Sequence, residues 1–420
     1  MSTLLVNSEL RGGIFRSRAL SHGGASSEVQ ARLLAKGARS ETSGGTRAAS
    51  YYWWMAVATC RSTLATMAIL TEPIGSIPRP PSLIEAMAAA QAGKASPARL
   101  ESLYADALRD TIERFQQTGS PVITDGEQTK PSFATYPLSG LTNLAPDGVI
   151  IPFADGHTRQ LPRLTHGPFR YGVHVATYLV AARAYTQSPL KQAVISASAL
   201  SLLYPAAAIP DYPREAFLAD LLNEAEADIR GALQAGAANV QIDFTEARLS
   251  LKLDPSGSLL RSFIAINNQV LDRFTPQERL HIGVHVCPGG DRDSTHSSDV
   301  DYAALLPDLF QLKAGRFYLQ LASEPDRKRV LRIVKELLGP DHIVFVGVID
   351  PINPEVETAA QVRDRVLEAA AILPVQQLGT TDDCGFAPFA DDTSTARDIA
   401  FRKIQARVEG TELAARELGF

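Results

Sequence analysis

Residues 343–380 read IVFVGVIDPINPEVETAAQVRDRVLEAAAILPVQQLGT, and this stretch contains the repeating unit of the chain. The β-rich run Ile343–Val348 predicts a buried strand. An amphipathic helix is predicted near residues 358–371, and the run Val375–Thr380 predicts a second strand. A strand, a helix and a further strand in this order indicate a βαβ unit with two parallel strands.

The same alternation extends back to Ile69 and forward to the end of the chain. Six further strands are predicted at Leu70–Ser76, Pro121–Asp125, Gln192–Ser196, Asn239–Asp243, His281–Val286 and Arg316–Leu321. Further helices are predicted at about residues 97–119, 213–235, 257–273, 300–312, 326–338 and 393–416, and a long insertion at about 130–190 contains one near 174–186. Eight βα units in order predict an α/β fold of the (β/α)₈ TIM-barrel class. No glycine-rich dinucleotide fingerprint follows any strand, which argues against an open Rossmann sheet.

The composition excludes several classes of protein. The 420 residues are 45% hydrophobic and 21% charged, with a net charge of −5, so no basic excess favours nucleic acid. No uncharged apolar run reaches the roughly 18 residues of a membrane helix. The three cysteines, Cys60, Cys287 and Cys384, are too few for a disulfide framework and suit a reducing compartment. We therefore predict a cytoplasmic protein without a nucleic-acid or membrane partner; the sequence does not determine its oligomeric state.

Residues 1–66 differ from the rest of the chain. Residues 1–50 are rich in Ser, Gly, Ala and Arg and show no persistent hydrophobic period, and both tryptophans, Trp53 and Trp54, also fall in this extension. Three interpretations remain open: a mitochondrial-type presequence, a disordered tail, or translation that starts at Met67. We divide the chain into a low-complexity extension, 1–66, predicted to be disordered or non-native, and a barrel domain, 67–420. Cys60 falls in the extension and is not a candidate for chemistry.

Polar side chains follow nearly every predicted strand. In strand order they are Ser76, Asp125, Glu127, Asp243, Glu246, His285, Cys287, Gln320, Glu324, Asp350, Asp382, Asp383 and Cys384. In (β/α)₈ barrels the carboxyl ends of the strands carry the active site. Their convergence on one rim predicts a functional site there.

Three of these side chains form a candidate metal site. His285 and Cys287 are two residues apart at a strand end, so both can point into the barrel mouth. Cys384 follows the eighth strand and can reach the same mouth. One imidazole and two thiolates suit zinc and leave a fourth position open, as a catalytic site requires. The alternative is two inert buried cysteines and a core histidine. Candidates for the fourth position are Gln320, His296, Glu324 and Asp350.

Six segments carry a resemblance to a known family. They are IGSIPRP (74–80), ITDGEQTK (123–130), VQIDFTEAR (240–248), HVCPGG (285–290), GVIDPINPEVET (347–358) and DDCGF (382–386). From about residue 70 onwards, the chain resembles the catalytic domain of cobalamin-independent methionine synthase. It is also similar to the short relatives of that domain, which include epoxyalkane:coenzyme M transferase (2-hydroxypropyl-CoM lyase).

The resemblance implies roles for individual residues. It implies that His285, Cys287 and Cys384 bind Zn²⁺, and that Ile74, Ser76, Glu127 and Asp243 contact a small thiol substrate. Ser76 and backbone groups would hold the carboxylate of that substrate, while Glu127 and Asp243 would hold its amino group and form the catalytic pair. The family's fourth ligand is a glutamate on the sixth strand, where this chain has Gln320.

Three functions follow as expectations. The first is a zinc-dependent S-methyltransferase of the 5-methyltetrahydropteroyltriglutamate–homocysteine type, with a homocysteine-like thiol and an alkyl donor as partners. The second is a lyase or transferase that adds a thiol to an epoxide. This would need Arg79 or Arg248 to turn inward and bind a sulfonate. The third is a non-catalytic zinc-binding barrel.

Overall fold

The computed structural model describes residues 69–94 and 96–420. The predicted extension, residues 1–66 with Cys60, lies outside the described residues, so its separate character stays a prediction. The strands that the structure describes are β1 (Leu70–Thr71), β2 (Leu144–Ala145), β3 (Ile150–Pro152), β4 (Thr158–Gln160), β5 (Arg163–Leu164), β6 (Lys191–Ile195), β7 (Asn239–Asp243), β8 (Ile282–Val286), β9 (Arg316–Leu319), β10 (Ile343–Ile349) and β11 (Leu378–Asp382).

Seven of these strands form one parallel sheet in the order β1-β11-β10-β9-β8-β7-β6. The segment at 122–126 fills the gap between the two edges of this sheet. Ile123 forms a parallel bridge with Leu190, beside β6. On the other side, the Thr124 hydroxyl donates a hydrogen bond to the carbonyl of Gly75, beyond β1, at 2.7 Å. The sheet therefore curls round on itself, as the predicted (β/α)₈ class requires.

The bounds of four predicted strands were wrong by two residues or more, and one of these is the sixth, which ends at Leu319 rather than Leu321. The first strand ends at Thr71, and beyond it the backbone N–H of Glu72 still donates to the carbonyl of Thr380 at 3.0 Å. The second, Pro121–Asp125, contributes a single bridge rather than a ladder. The eighth lies two to three residues later than predicted, because residues 375–377 form a 3₁₀ turn before β11 begins.

The helices that surround the sheet are α1 (Pro81–Gln91), α2 (Pro97–Gln117), α3 (Ala176–Arg183), α4 (Ala197–Leu200), α5 (Arg214–Gln234), α6 (Glu246–Leu253), α7 (Ser258–Leu271), α8 (Pro276–Arg279), α9 (Tyr302–Leu309), α10 (Arg327–Leu337), α11 (Ala359–Ala370) and α12 (Arg397–Glu417). Every predicted helix is present. The capping box of Thr358 and Gln361, which begins α11, shows how the sequence sets such a boundary. The helices α1, α4, α6 and α8 were not predicted. None of the described helices has the length and apolar character needed to cross a lipid bilayer.

The insertion between the second and third strands contains α3, as predicted, and two antiparallel pairs that were not. The strand β2 pairs with β5, and β3 pairs with β4. The β3–β4 hairpin lies against the loop that follows β8, where the backbone N–H of Ala154 donates to the carbonyl of Thr295 at 2.8 Å. This insertion therefore reaches the carboxyl ends of the strands.

The barrel interior is polar at the amino ends of the strands, which form the floor of the barrel. Glu72, which is buried, accepts hydrogen bonds from Asn239 and Arg316, each at 2.9 Å, and from Tyr318 at 2.6 Å. Lys191 lies 3.9 Å from the same carboxylate. Buried charges persist only where partners compensate their desolvation, and here each has several. The main apolar core packs the strands against the helices, and a separate, smaller apolar cluster contains Ile74, Tyr318 and Phe345.

Candidate active site

The candidate metal ligands meet where β8 and β11 end. His285 lies in β8, and Cys287, two residues after it, directly follows that strand, so both side chains point to the same side of the sheet. Cys384 follows β11 by two residues. The two sulfur atoms are 3.0 Å apart, and the ligand atoms of all three residues lie within 4.8 Å of one another. The structure therefore brings together the three residues that the sequence pointed to.

The chemistry of this cluster fits a metal ion. All three side chains are buried, and neither ring nitrogen of His285 has a hydrogen-bond partner within the described residues. A buried polar atom without a partner is costly unless a ligand satisfies it. The hydrogen bond with Cys287, together with burial, raises the pKa of the Cys384 thiol well above its usual value. An imidazole and two adjacent sulfurs are the donor set that zinc prefers.

Among the candidates for the fourth position, Gln320 is already hydrogen-bonded at both ends. Its amide oxygen accepts from Arg248 at 2.8 Å, and its amide nitrogen donates to the Ser323 hydroxyl at 2.7 Å. His296 hydrogen-bonds through Nδ1 to the Ser297 hydroxyl at 2.8 Å. Burial, with help from the nearby cations Lys252 and Arg248, lowers the pKa of His296 to about 4.

The two carboxylate candidates lie outside the cluster. Neither Glu324 nor Asp350 belongs to the group of possible ligand atoms within 4.8 Å. Burial raises the pKa of Glu324 against the opposing charge of Arg248. Asp350 caps its own loop by accepting a hydrogen bond from the backbone N–H of Ile352 at 3.0 Å.

A cavity of about 610 Å³, counted out to its open mouth, lies beside the cluster. Its lining includes the three candidate ligands and all four predicted substrate contacts, which are Ile74, Ser76, Glu127 and Asp243. Gln320 is not part of this lining.

Glu127 sits in a left-handed turn with φ of 56°, a conformation that non-glycine residues rarely adopt. Its backbone carbonyl accepts from Arg79 at 2.6 Å, and its carboxylate accepts from Lys130 Nζ at 2.9 Å. Burial raises the pKa of this carboxyl, and the charge of Lys130 opposes that shift. The turn therefore places the carboxylate of Glu127 in the cavity wall, where it is hydrogen-bonded to the buried Lys130.

Asp243 is the last residue of β7 and pairs in register with His285 on β8. Its Oδ1 accepts a hydrogen bond from Gln241 Nε2 at 2.7 Å. Burial raises the pKa of the Asp243 carboxyl, and the nearby His285 opposes the shift. Two buried carboxylates, Glu127 and Asp243, thus line the same cavity as the metal cluster and can bind a cationic group.

Ser76 lies opposite the loop that carries Cys384. Its hydroxyl accepts a hydrogen bond from the backbone N–H of Ala387 at 3.2 Å. A Cβ at Gly385 would come within 2.1 Å of that hydroxyl oxygen, so only glycine allows this close approach.

The sequence analysis missed the mouth of the cavity. Its apolar lining includes Phe133, Ile151, Phe153 and Phe389, of which the first three come from the insertion. One signal for this mouth was present in the sequence, namely the insertion of about 60 residues between two βα units. The loops at the carboxyl ends of the strands build the active site of a (β/α)₈ barrel, so a long insertion there is a candidate to line it. The strands that place Ile151 and Phe153 are too short for a periodic pattern.

Three arginines near the site are all paired. Arg159 lines the cavity, but it donates to Asp291 through Nε at 2.6 Å and also pairs with Asp391 at 3.0 Å. Arg79 donates only to backbone carbonyls at the 127–130 turn and at Phe389. Arg248 donates to Gln320 and to the carbonyls of Ser298 and Val300. Arg79 and Arg248 are not part of the cavity lining.

The chain is similar to a known protein family. Residues 69–400 match the family model described as the catalytic domain of cobalamin-independent synthase. The chain is 21% identical over 350 residues to a methionine synthase of Saccharolobus solfataricus, which covers 83% of this chain and 95% of the relative. It is 22% identical over 351 residues to a methionine synthase of Sulfurisphaera tokodaii, with 83% and 93% covered.

A solved structure shares the fold. The B12-independent methionine synthase from Shewanella sp. W3-18-1, in complex with selenomethionine, superimposes with a TM-score of 0.67 at 20% identity, and 83% of this chain and 99% of that chain are covered. The predicted (β/α)₈ fold and the predicted family are confirmed. Because the family model covers most of the chain, this protein belongs to the cobalamin-independent methionine synthase family of methyltransferases, through its catalytic domain.

Proposed function

We propose that this chain is a zinc-dependent thiol S-methyltransferase whose acceptor is homocysteine or a close amino-acid thiol. The observation that carries the proposal is the buried cluster of His285, Cys287 and Cys384 beside a cavity that two carboxylates line. A zinc ion held by this cluster would lower the pKa of a bound thiol, so that the thiol reacts as a thiolate.

The residues of the chain bind and orient the acceptor. Glu127 and Asp243 would receive its ammonium group, because both are buried carboxylates on the cavity wall. Ser76 and the backbone near Ile74 would receive its carboxylate. The sulfur then forms a bond to the methyl carbon, and the donor leaves with the electron pair of the broken bond. The aromatic mouth formed by Phe133, Phe153 and Phe389 would exclude water and hold the two reactants together.

The epoxide-transferase alternative has less support. A sulfonate acceptor needs a cation in the cavity with a free donor. Arg79 and Arg248 are engaged elsewhere, and Arg159 is held by Asp291 and Asp391.

The test measures zinc content and proton release. We expect one zinc ion per purified chain, and its loss in Cys384→Ser; His296→Gln is the matched control, since His296 lines the cavity outside the cluster. We further expect homocysteine, but not coenzyme M, to release a proton when it is titrated into the zinc-loaded protein near neutral pH. Proton release with coenzyme M alone would favour the epoxide transferase. No release with either thiol would favour a non-catalytic barrel.

A further inference from the structure

A chain of hydrogen bonds links the rim carboxylate Asp243 to the floor of the barrel. Lys191 Nζ donates to Gln241 Oε1 at 2.7 Å, and Gln241 Nε2 donates to Asp243 Oδ1 at 2.7 Å. Lys191 and Gln241 have no solvent exposure at all. Because alternate residues of a strand point to the same face, Gln241 and Asp243 lie one above the other inside the barrel.

The neighbours of Gln241 fix the orientation of its amide. A lysine ammonium can only donate, so it requires the amide oxygen. An ionised carboxylate can only accept, so it requires the amide nitrogen. The reversed amide would place two donors together and two acceptors together, in a region without solvent. The arrangement therefore presents a directed N–H to one oxygen of Asp243.

The second carboxylate of the cavity has a similar support. Glu127 Oε1 accepts from Lys130 Nζ at 2.9 Å, and the same ammonium donates to the carbonyl of Ala193 at 3.0 Å. Each carboxylate thus has one oxygen bonded to a buried group. Asp243 differs in that its lysine acts through an intervening amide.

We infer that Gln241, held by Lys191, is a positioning residue that fixes Asp243 for recognition of the acceptor's ammonium group. Gln241 does not line the cavity, so it acts only through Asp243. This inference rests on the proposed function, in which Asp243 meets that ammonium. A carboxylate with one oxygen fixed presents the other in a single direction, whereas an unsupported one must be ordered each time the substrate binds.

The test compares two thiols that differ only in the amino group. Homocysteine and 4-mercaptobutanoate are titrated calorimetrically into the zinc-loaded protein, and the ratio of their dissociation constants is measured. In Gln241→Glu the substituted side chain keeps Lys191 as a partner but offers no proton to Asp243. In Gln241→Met both polar contacts are lost without added charge. We expect both variants to lower the preference for homocysteine by about ten- to a hundredfold, which is the range that corresponds to the loss of a hydrogen bond to a charged group.

Asn239→Ala is the matched control. Asn239 lies on the same face of β7, but its side chain donates a hydrogen bond to Glu72 at the barrel floor and not to Gln241 or Asp243. We expect this variant to lose stability and to keep the wild-type ratio. Unchanged ratios in both Gln241 variants, a lowered ratio in Gln241→Glu alone, or an equal fall in the control would overturn the inference. If the wild-type protein itself does not prefer homocysteine, the proposed ammonium contact fails instead.

Discussion

At the scale of single residues, the neutral side chain of Gln320 stands where the family resemblance implies an anionic ligand. Its two polar ends are bonded to Arg248 and Ser323, so binding a metal would require it to give up a buried hydrogen bond. We expect Gln320→Met to keep one zinc ion per chain by atomic absorption. The variant should lose about 1–3 kcal/mol of unfolding free energy, because the buried Arg248 loses an acceptor. A fall in zinc content to the level of Cys384→Ser would show instead that Gln320 is a ligand.

Glu246 gives a pH-dependent prediction at the same scale. Burial raises the pKa of this carboxyl to about 7, although the hydroxyls of Ser196 and Ser198 both donate to it. Between its ordinary pKa of about 4.3 and this value, the folded protein binds a proton that the unfolded chain does not, so stability falls as pH rises through that window. We expect Glu246→Gln to remove this penalty. By urea unfolding, the variant should gain about 2–3 kcal/mol relative to wild type between pH 5 and pH 8.

The control for this experiment is Glu336→Gln, because Glu336 is exposed on α10. We expect its stability relative to wild type to stay nearly constant over the same pH range. If Glu246→Gln followed the same flat profile, the buried carboxyl of Glu246 would already be ionised at pH 5.

The residues of the metal cluster could be predicted because strand periodicity and strand ends are local properties of a sequence. His285 and Cys287 share a face by alternation, and the barrel topology brings Cys384 to the same rim. The partners of Gln320 could not be predicted. They depend on Arg248, which lies on α6, a two-turn helix that the sequence analysis did not predict.

At the scale of elements, one buried carboxylate of the barrel helps to hold the β3–β4 hairpin in place. Asp291 has no exposed side-chain surface and accepts two hydrogen bonds from Arg159 and one from His157. Arg159→Met leaves the buried carboxylate of Asp291 with His157 as its weaker side-chain partner. Removing one partner of a buried ion pair typically lowers the free energy of unfolding by about 3–5 kcal/mol. We expect the hairpin to detach locally. Amide hydrogen exchange of residues 149–161, followed by mass spectrometry, should become faster.

Arg163→Met is the control on the same insertion. Arg163 pairs with Asp147, whose side chain is 64% exposed, and an exposed pair of this kind contributes little to stability. Its exchange rates should match those of the wild type. Equal exchange in both variants would mean that backbone hydrogen bonds alone hold the hairpin.

The sequence predicted the long elements of the fold and missed the short ones for a physical reason. Helices such as α2 and α10 span several turns and show a repeated apolar period. The strands β3 and β4 have three residues each, which is too short for an alternation to be recognised. These short strands carry Ile151 and Arg159 to the cavity, so the mouth of the site was the part that sequence could not reveal.

At the scale of the whole molecule, the repeat of βα units predicts the barrel, but it does not predict what fills the barrel. The charged floor around Glu72 uses residues that alternate along strands in the same way as apolar core residues would. The alternation of residues along a strand therefore predicts which way these side chains point, but it does not predict their hydrogen-bond partners. Arg407 and Asp382, another buried pair, link α12 to β11 and were likewise not predictable from spacing.

The metal cluster joins distant parts of this barrel, so its occupancy should control global stability. Cys287 and Cys384 are 97 residues apart in sequence, and β9 and β10 separate their strands in the sheet. An ion that binds only the folded cluster stabilises the fold by about 2.7 kcal/mol at a free concentration one hundred times its dissociation constant. We expect a chelator to lower the Tm by a few degrees in calorimetry, and added zinc to restore it. Cys384→Ser should melt at a lower temperature than the zinc-loaded wild type and should not respond to the chelator. An equal response of both proteins would place the stabilising ion somewhere other than this cluster.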